Sequence, residues 1–386
     1  MKTIAVIFGG KSTEHDVSVV TALASVIKPL ELTRKYKVEA VYISKNGIWY
    51  WDEKLKNIGL YRSGDIEEFM QKAPKVHLLF DNGLTLVKSS QFAGRKMYKK
   101  IDVVFPAMHG THGEDGELMG LLEIATVAYV GCNMPASALA MDKVLAKQVT
   151  SECGIESTPW TWFYSRDLPR GYKEILKNAE SLKYPLFVKP AHLGSSIGIS
   201  KVDSKNGLMN ALEVAAHYDD KVIVEQGVAN LIEVTLPIMG NEDPIPALLE
   251  KPLTKPEDFF DFDTKYMQGG KKVKSGKESG AQGYSEIPAD LPKALYDKAE
   301  RVGLDVYSAL GCSGTARVDL LIDTKTNKIF FNEVNPLPGG LYSHNWNKAG
   351  VSNVDLVEKL VDLAFERFET KQSLATSFNT NYLKQF

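Results

Sequence analysis

Short runs rich in Val, Ile, Tyr and Phe at residues 2–8, 38–43, 101–105 and 127–130 are separated by helical periodicities at 17–30 and 117–124. A parallel sheet covered by helices satisfies that alternation. Two turn signals interrupt it: Asn46-Gly47 before residues 48–51, and Asp81-Asn82-Gly83 between 76–80 and 84–87. Both are hairpin dipeptides, so an antiparallel insertion is expected. After a boundary near residues 138–142 the pattern changes. Strands at 185–190, 197–202, 222–225, 233–239 and 246–249 follow one another without a helix at each step, which argues for antiparallel sheets in an α+β arrangement. A helix at 291–310 and strands at 315–322 and 328–334 come next. A last amphipathic helix at 354–368 puts Leu356, Val357, Leu360, Val361 and Ala364 on one face. From residue 370 the chain is polar and fraying is expected.

At 386 residues the chain is long enough for two or three domains. Its net charge of -2 gives no support to nucleic-acid binding, which shows as a basic excess. Cys132, Cys153 and Cys312 are widely spaced, without a CxxC pair. They read as buried or half-buried free thiols rather than a disulfide framework or zinc site. The opening MKTIAVIFGG breaks at two glycines and reads as a strand, not a signal peptide. No apolar run is long enough to span a membrane, and a cytoplasmic protein is expected.

The chemistry concentrates in two places. Arg317 and Asp319 alternate on one strand, and Glu333 and Asn335 on the next, with a polar turn at 323–327 between them. Alternation puts each pair on one sheet face, so a hairpin would converge Asp319, Glu333 and Asn335. Two carboxylates and an amide oxygen are hard donors suited to magnesium, with manganese as the alternative ion. The other place is residues 185–202. Lys189 ends an apolar strand, a poor position for an ammonium that meets no anion. Gly194-Ser195-Ser196-Ile197-Gly198 follows, with backbone amides and hydroxyls able to approach a phosphate. No Walker GK[ST] is present.

Lys143 and Lys265 could also serve phosphates, although each taken alone reads as a surface lysine. Glu225 and Glu233 could read an adenine amino group and ribose hydroxyls. Residues 267–286 are rich in glycine and lysine and have the composition of a mobile loop. Near the N-terminus, Ser12 or Thr13 reads as the cap of a helix that carries Glu14 and His15. Gly9-Gly10 lacks the GxGxxG spacing of a dinucleotide fold.

Taken in order, GGKSTEHDVS, then DVVFPAMHGTHGEDGELMGLLE with YVGCNMPASALAMDK, then VKPAHLGSSIGISKV, then GTARVDLLID with FFNEVNPLPGG resemble the D-alanine–D-alanine ligase family of the ATP-grasp superfamily. The resemblance covers nearly the whole chain. It implies an N-terminal α/β domain at 1–140, then a two-part ATP-grasp fold of antiparallel sheets with helices at 141–224 and 225–386. It further implies ATP-dependent ligation of two D-alanines for peptidoglycan, a cytoplasmic location and a homodimer, with no nucleic-acid or membrane partner. Lys143, Lys189, Ser196 and Lys265 would contact ATP phosphates, Glu225 and Val228 the adenine, and Glu233 the ribose. Asp319, Glu333 and Asn335 would hold magnesium. Glu14 would anchor the first ammonium and join Ser195 and Tyr266 in a triad that closes the glycine-rich loop. His109 would line the first pocket, and Arg317 and the Gly339 N–H would form the oxyanion site.

The sequence departs from the family at Met119, where Gln is usual, in the lysine-rich loop after Tyr266, and above all at Gly340-Leu341-Tyr342-Ser343-His344-Asn345-Trp346. Ser343 or His344 would there receive the second substrate's carboxylate. A ligase for D-serine, D-lactate or another amino acid stays open on that segment. A non-catalytic ATP-binding protein is the alternative of another class, and Arg317 argues against it, because nucleotide binding alone needs no oxyanion donor.

Overall fold

The computed structural model describes residues 1–89, 96–253, 285–377, 380 and 382–386. Its first sheet is built from β1 (Lys2–Gly9), β2 (Tyr36–Ile43) and β3 (Trp49–Trp51), with β7 (Val103–Pro106) and β8 (Ala128–Tyr129) beyond. The order is β3-β2-β1-β7-β8, parallel except for the β2–β3 hairpin that Asn46-Gly47 closes. β1 is buried on both faces, which is why it reads as a continuous apolar run. The helix expected at 17–30 is α1 (His15–Val20), a π segment (Thr21–Ile27) and α2 (Lys28–Thr33). Its Val19, Ala22, Val26 and Leu30 pack in one core with Ile4, Val6 and Phe8.

Between β3 and β7 lie α3 (Ile58–Arg62), α4 (Ile66–Lys72) and the meander β4 (Val76–Phe80), β5 (Leu84–Ser89) and β6 (Lys96–Ile101). The single strand expected at 101–105 is therefore two. Ile101 ends β6, Val103 starts β7, and Asp102 marks the corner, its carboxylate accepting the Thr3 N–H at 2.7 Å. α5 (Glu117–Ile124) lies between β7 and β8 and buries Met119.

Beyond β8 come α6 (Met134–Met141) and α7 (Lys143–Glu152). A four-stranded antiparallel sheet follows in the order β11-β10-β12-β9, from β9 (Trp160–Tyr164), β10 (Leu186–Pro190), β11 (Ser200–Val202) and β12 (Lys221–Gln226). It shares a core with α8 (Leu168–Glu180) and α9 (Lys205–Tyr218). The strand expected at 197–202 is shorter because Ile197 and Ile199 bond back to Gly194 and Ser196 within the loop.

The last large sheet has the order β14-β13-β17-β18, with β13 (Leu231–Gly240), β14 (Ile245–Pro246), β17 (Gly314–Asp323) and β18 (Lys328–Asn335). β15 (Lys251–Pro252) and β16 (Ser285–Glu286) form a small pair, and α10 (Lys293–Ala309) covers the large sheet. The strand expected at 246–249 is not formed beyond Pro246. The Asn345 side chain takes both the N–H and the C=O of Leu248, replacing a strand partner.

After a one-turn 3-10 helix (Gly339–Tyr342) come α11 (Ser343–Lys348) and α12 (Asn353–Gln372). All five residues expected on the inner face of α12 are buried, and the helix continues past the expected fraying point at 370. They join the core of the N-terminal sheet, while Arg367 donates to Tyr129 O and Ser313 Oγ. Cys132 and Cys312 are buried, but Cys153 is exposed at the end of α7, against expectation.

Candidate active site

In the β17–β18 hairpin, Asp319 pairs directly with Glu333 and Arg317 with Asn335, with a register shift after Asp319. Arg317 grips Asp319 with a fork, Nε to Oδ1 at 2.7 Å and Nη2 to Oδ2 at 2.5 Å. Asn335 Nδ2 donates to Asp319 Oδ2 at 3.2 Å, which leaves its amide oxygen for another partner. Asp319 is buried (2% exposed), and Lys143 Nζ lies 3.4 Å from Glu333 Oε2. The hairpin thus brings all four residues together.

Lys143 is not a surface residue. It opens α7, is 6% exposed, and donates from Nζ to Leu193 O at 2.8 Å, at the edge of the glycine-serine loop. Asp142 caps the helix by accepting the N–H groups of Val144 and Leu145. Lys189 finds the anion that its strand-end position calls for. Its ammonium meets Glu225 at 2.6 Å and Asn332 Oδ1 at 3.3 Å, linking the two antiparallel sheets. Glu225 is shared with Lys147, a residue that sequence reasoning missed. Lys147 is wholly buried, 2.8 Å from Glu225 Oε1 and 3.0 Å from Phe331 O. Burial alone would raise the Glu225 carboxyl, but the charges of Lys147 and Lys189 outweigh it and hold it down at about 2. Val228 follows β12 and Glu233 lies on β13, both half-buried. Lys265 and Tyr266 lie outside the described residues.

On the N-terminal side, Ser195 Oγ donates to Glu14 Oε1. Burial is the main cause that raises the Glu14 carboxyl, with the charge of Glu114 adding to it. Ser195 and Ser196 both have left-handed backbones in the loop, φ 53° and 61°. A Cβ at Gly110 would lie 2.5 Å from Ser12 Oγ and 2.9 Å from Glu14 Oε2, so only glycine fits there. Ser12 does not cap the helix as expected. It accepts the Glu14 N–H, and Glu14 itself is the N-cap, without a side-chain cap bond. His15 points into the core, bonded to Gly10 O and Tyr42 Oη.

His109 is buried, with Nε2 2.8 Å from Thr21 Oγ1 and Nδ1 3.9 Å from Glu114 Oε2. Burial lowers its affinity for a proton, but the Glu114 bond and charge outweigh that and raise it. Gly339 opens the 3-10 turn that follows β18. The Arg317 guanidinium lies 5.0 Å from the Tyr342 ring centre, and Tyr342 packs at 4.8 Å on His344. Ser343 is half-buried at the start of α11. His344 Nε2 is 2.9 Å from Glu250 Oε2, and the fully buried Asn345 also reaches Glu250.

A second cluster centres on His192, just before the glycine-serine loop in the chain. His192 lies between Asp219, 2.8 Å from Nδ1, and Asp142, 3.2 Å from Nε2, with Asp220 at 3.7 Å. Lys221 also pairs with Asp142. The hydrogen bonds to Asp142 and Asp219 raise the His192 imidazole to about 9, and both carboxyls are held below their ordinary values. A raised histidine adds stability that is complete below its ordinary 6.5 and is lost as pH rises through about 9. The melting temperature of the protein should therefore exceed that of His192→Gln at neutral pH, and the two should converge in alkali. A gap that persists unchanged above that range would refute the assignment.

Two antiparallel sheets joined through a strand-end lysine, with a carboxylate hairpin, a glycine-serine loop and a forked arginine, define an ATP-grasp enzyme. The D-ala D-ala ligase N-terminus family matches residues 3–132, and the D-ala D-ala ligase C-terminus family matches residues 149–362. The chain belongs to the D-alanine–D-alanine ligase family. It is 36% identical over 378 residues to a D-alanine–D-alanine ligase of Chloroherpeton thalassium, covering 96% of this chain and 98% of that one. It is 37% identical over 386 residues to one from Acetivibrio thermocellus, covering 95% and 96%. Among solved structures, the VanG D-Ala:D-Ser ligase from Enterococcus faecalis superposes with a TM-score of 0.77 at 32% identity, covering 94% and 99%. The D-alanine-D-alanine ligase from Coxiella burnetii superposes at 0.76 and 27% identity, covering 97% and 98%.

Proposed function

We propose that this protein joins two D-alanines into the peptidoglycan precursor dipeptide, using ATP and releasing ADP and phosphate. The observation that carries the reading is the Asp319–Glu333 pair, held by Arg317 on one side and Lys143 on the other. A carboxylate is a poor electrophile. An oxygen of the first D-alanine's carboxylate attacks the γ-phosphorus of ATP, the bond to ADP breaks, and an acyl phosphate forms. That step demands positioning and charge neutralisation above all. Lys143 and Lys189 supply positive charge, with Glu225 and Glu233 holding the adenosine. The amine of the second D-alanine then attacks the acyl carbon. Arg317 and the Gly339 N–H steady the oxyanion until phosphate leaves.

The oxygen donors Asp319, Glu333 and Asn335 fit magnesium, and manganese takes the same donors. Such an ion, when bound, neutralises phosphate charge. Glu14 holds the first ammonium and His109 lines that pocket, with Ser343 or His344 toward the second carboxylate. We place the reaction in the cytoplasm. None of the described helices is long and apolar enough to cross a membrane.

Phosphate release with ATP, magnesium and D-alanine is expected to exceed that with D-serine, D-lactate or L-amino acids as acceptor. Background release with every candidate would defeat the enzyme reading. Faster mixed-dipeptide formation with D-serine would favour the second reading, which the Gly340–Trp346 departure and the likeness to the VanG enzyme support.

A further inference from the structure

The turn beside Arg317 is held in a conformation that its own sequence does not favour. Gly340, Leu341 and Tyr342 all have left-handed backbones, with φ of 60°, 55° and 50°. Two consecutive non-glycine residues there are costly, and they persist only where the surroundings over-determine them.

Two contacts do so here. Leu341 is 1% exposed and sits in the core that also holds Ala22, Leu23 and Val26. The Gly340 N–H donates to Thr21 Oγ1 at 3.0 Å, across 319 residues of sequence.

Thr21 opens the π segment, a helix form that concentrates at functional sites. It is 1% exposed, so water does not compete for its hydroxyl. An amide N–H can only donate, so the Thr21 oxygen accepts from Gly340. The same oxygen lies 2.8 Å from His109 Nε2, and the other ring nitrogen faces Glu114. Glu114 also accepts the Gly110 N–H at 2.7 Å, next to Glu14. One hydroxyl therefore touches both the wall of the first-substrate pocket and the backbone of the turn that begins at Gly339.

We infer that Thr21 is a positioning residue that ties the first amino acid's pocket to the oxyanion turn, keeping the Gly339 N–H aimed at the oxygen of the acyl group while the amine attacks its carbon. The inference rests on the ligase reading, and it concerns the second chemical step rather than ATP binding. The Thr21 hydroxyl bonds that the described residues show run to Gly340 and His109.

The test follows dipeptide and phosphate together in the full-length protein with ATP, magnesium and D-alanine. Thr21→Val keeps the shape and removes the hydroxyl. It should lower the kcat for dipeptide by about ten- to a hundredfold, while the KM for ATP stays within about twofold. Phosphate per dipeptide should rise above one. The acyl phosphate, left waiting, takes up water at its carbonyl carbon, and D-alanine and phosphate depart. Thr21→Ser, which keeps the hydroxyl, should restore both rate and ratio.

Wild-type rate and ratio in Thr21→Val would overturn the inference. So would equal damage in Val and Ser, or a loss shared by the KM for ATP with the ratio still at one, since either outcome marks a packing role. Thr21→Ala takes the place of Val, with the same criteria, if Val does not fold. Wild-type protein that releases no phosphate above background would instead bring down the ligase reading beneath it.

Discussion

Arg317→Ala should lower turnover with ATP and D-alanine by on the order of a hundredfold or more, the usual cost of losing one oxyanion donor. The loss has two parts. The guanidinium is the fixed donor proposed for the tetrahedral oxyanion, and its aim is set by the two-pronged grip on Asp319 and by the Tyr342 ring below it. Removing it also takes a cation from Asp319, a carboxylate buried at 2% exposure. Arg317→Lys separates the parts, because lysine keeps the charge but cannot reproduce the planar fork. We expect Lys to recover ATP binding and little of the turnover. Near-normal rates in Arg317→Ala would remove this residue from the mechanism.

Lys147→Met should cost about 3 kcal/mol of stability, near the lower end for breaking a buried charge pair from one side. Lys147 is wholly buried and 2.8 Å from Glu225, so the variant leaves that carboxylate inside the protein with Lys189 as its remaining lysine. Methionine fills most of the lysine stem's volume, so the loss reports on charge rather than on a cavity. Chemical unfolding of the single variants and of Lys147→Met/Glu225→Gln forms a double-mutant cycle. The double variant should be less damaged than the sum of the singles, because the two residues share one interaction. Additive losses would mean that the pair is not coupled. Since Glu225 is also proposed to meet the adenine, the KM for ATP should rise in Lys147→Met as the carboxylate loses its orientation.

The residues that were readable in advance share one property: their partners lie nearby in sequence or follow from strand alternation. Arg317, Asp319, Glu333 and Asn335 sit on adjacent strands joined by a short turn, so pleat geometry alone predicts their convergence. The inner face of the last helix was legible for the same kind of reason, from a period of 3.6. Misreadings came where local pattern meets distant demand. Residues 101–105 look like one strand but serve two sheets, and residues 246–249 look like a strand, yet Leu248 at its centre gives both backbone polar groups to Asn345. Lys143 looked like a surface lysine because nothing local says that Leu193 and Glu333 await it.

Most strands of the first sheet, the last helix, the carboxylate hairpin, the glycine-serine loop and the family likeness were determined by the sequence, through periodicity and short-range chemistry. Tertiary structure alone decided that Lys147 is buried against Phe331, 184 residues away, and that Thr21 meets Gly340 across 319. It also decided that His192 is clamped between two aspartates. A side chain's charge state and its single hydrogen-bond partner depend on which surfaces dock and exclude water, and that is a property of the assembled fold rather than of any window of residues.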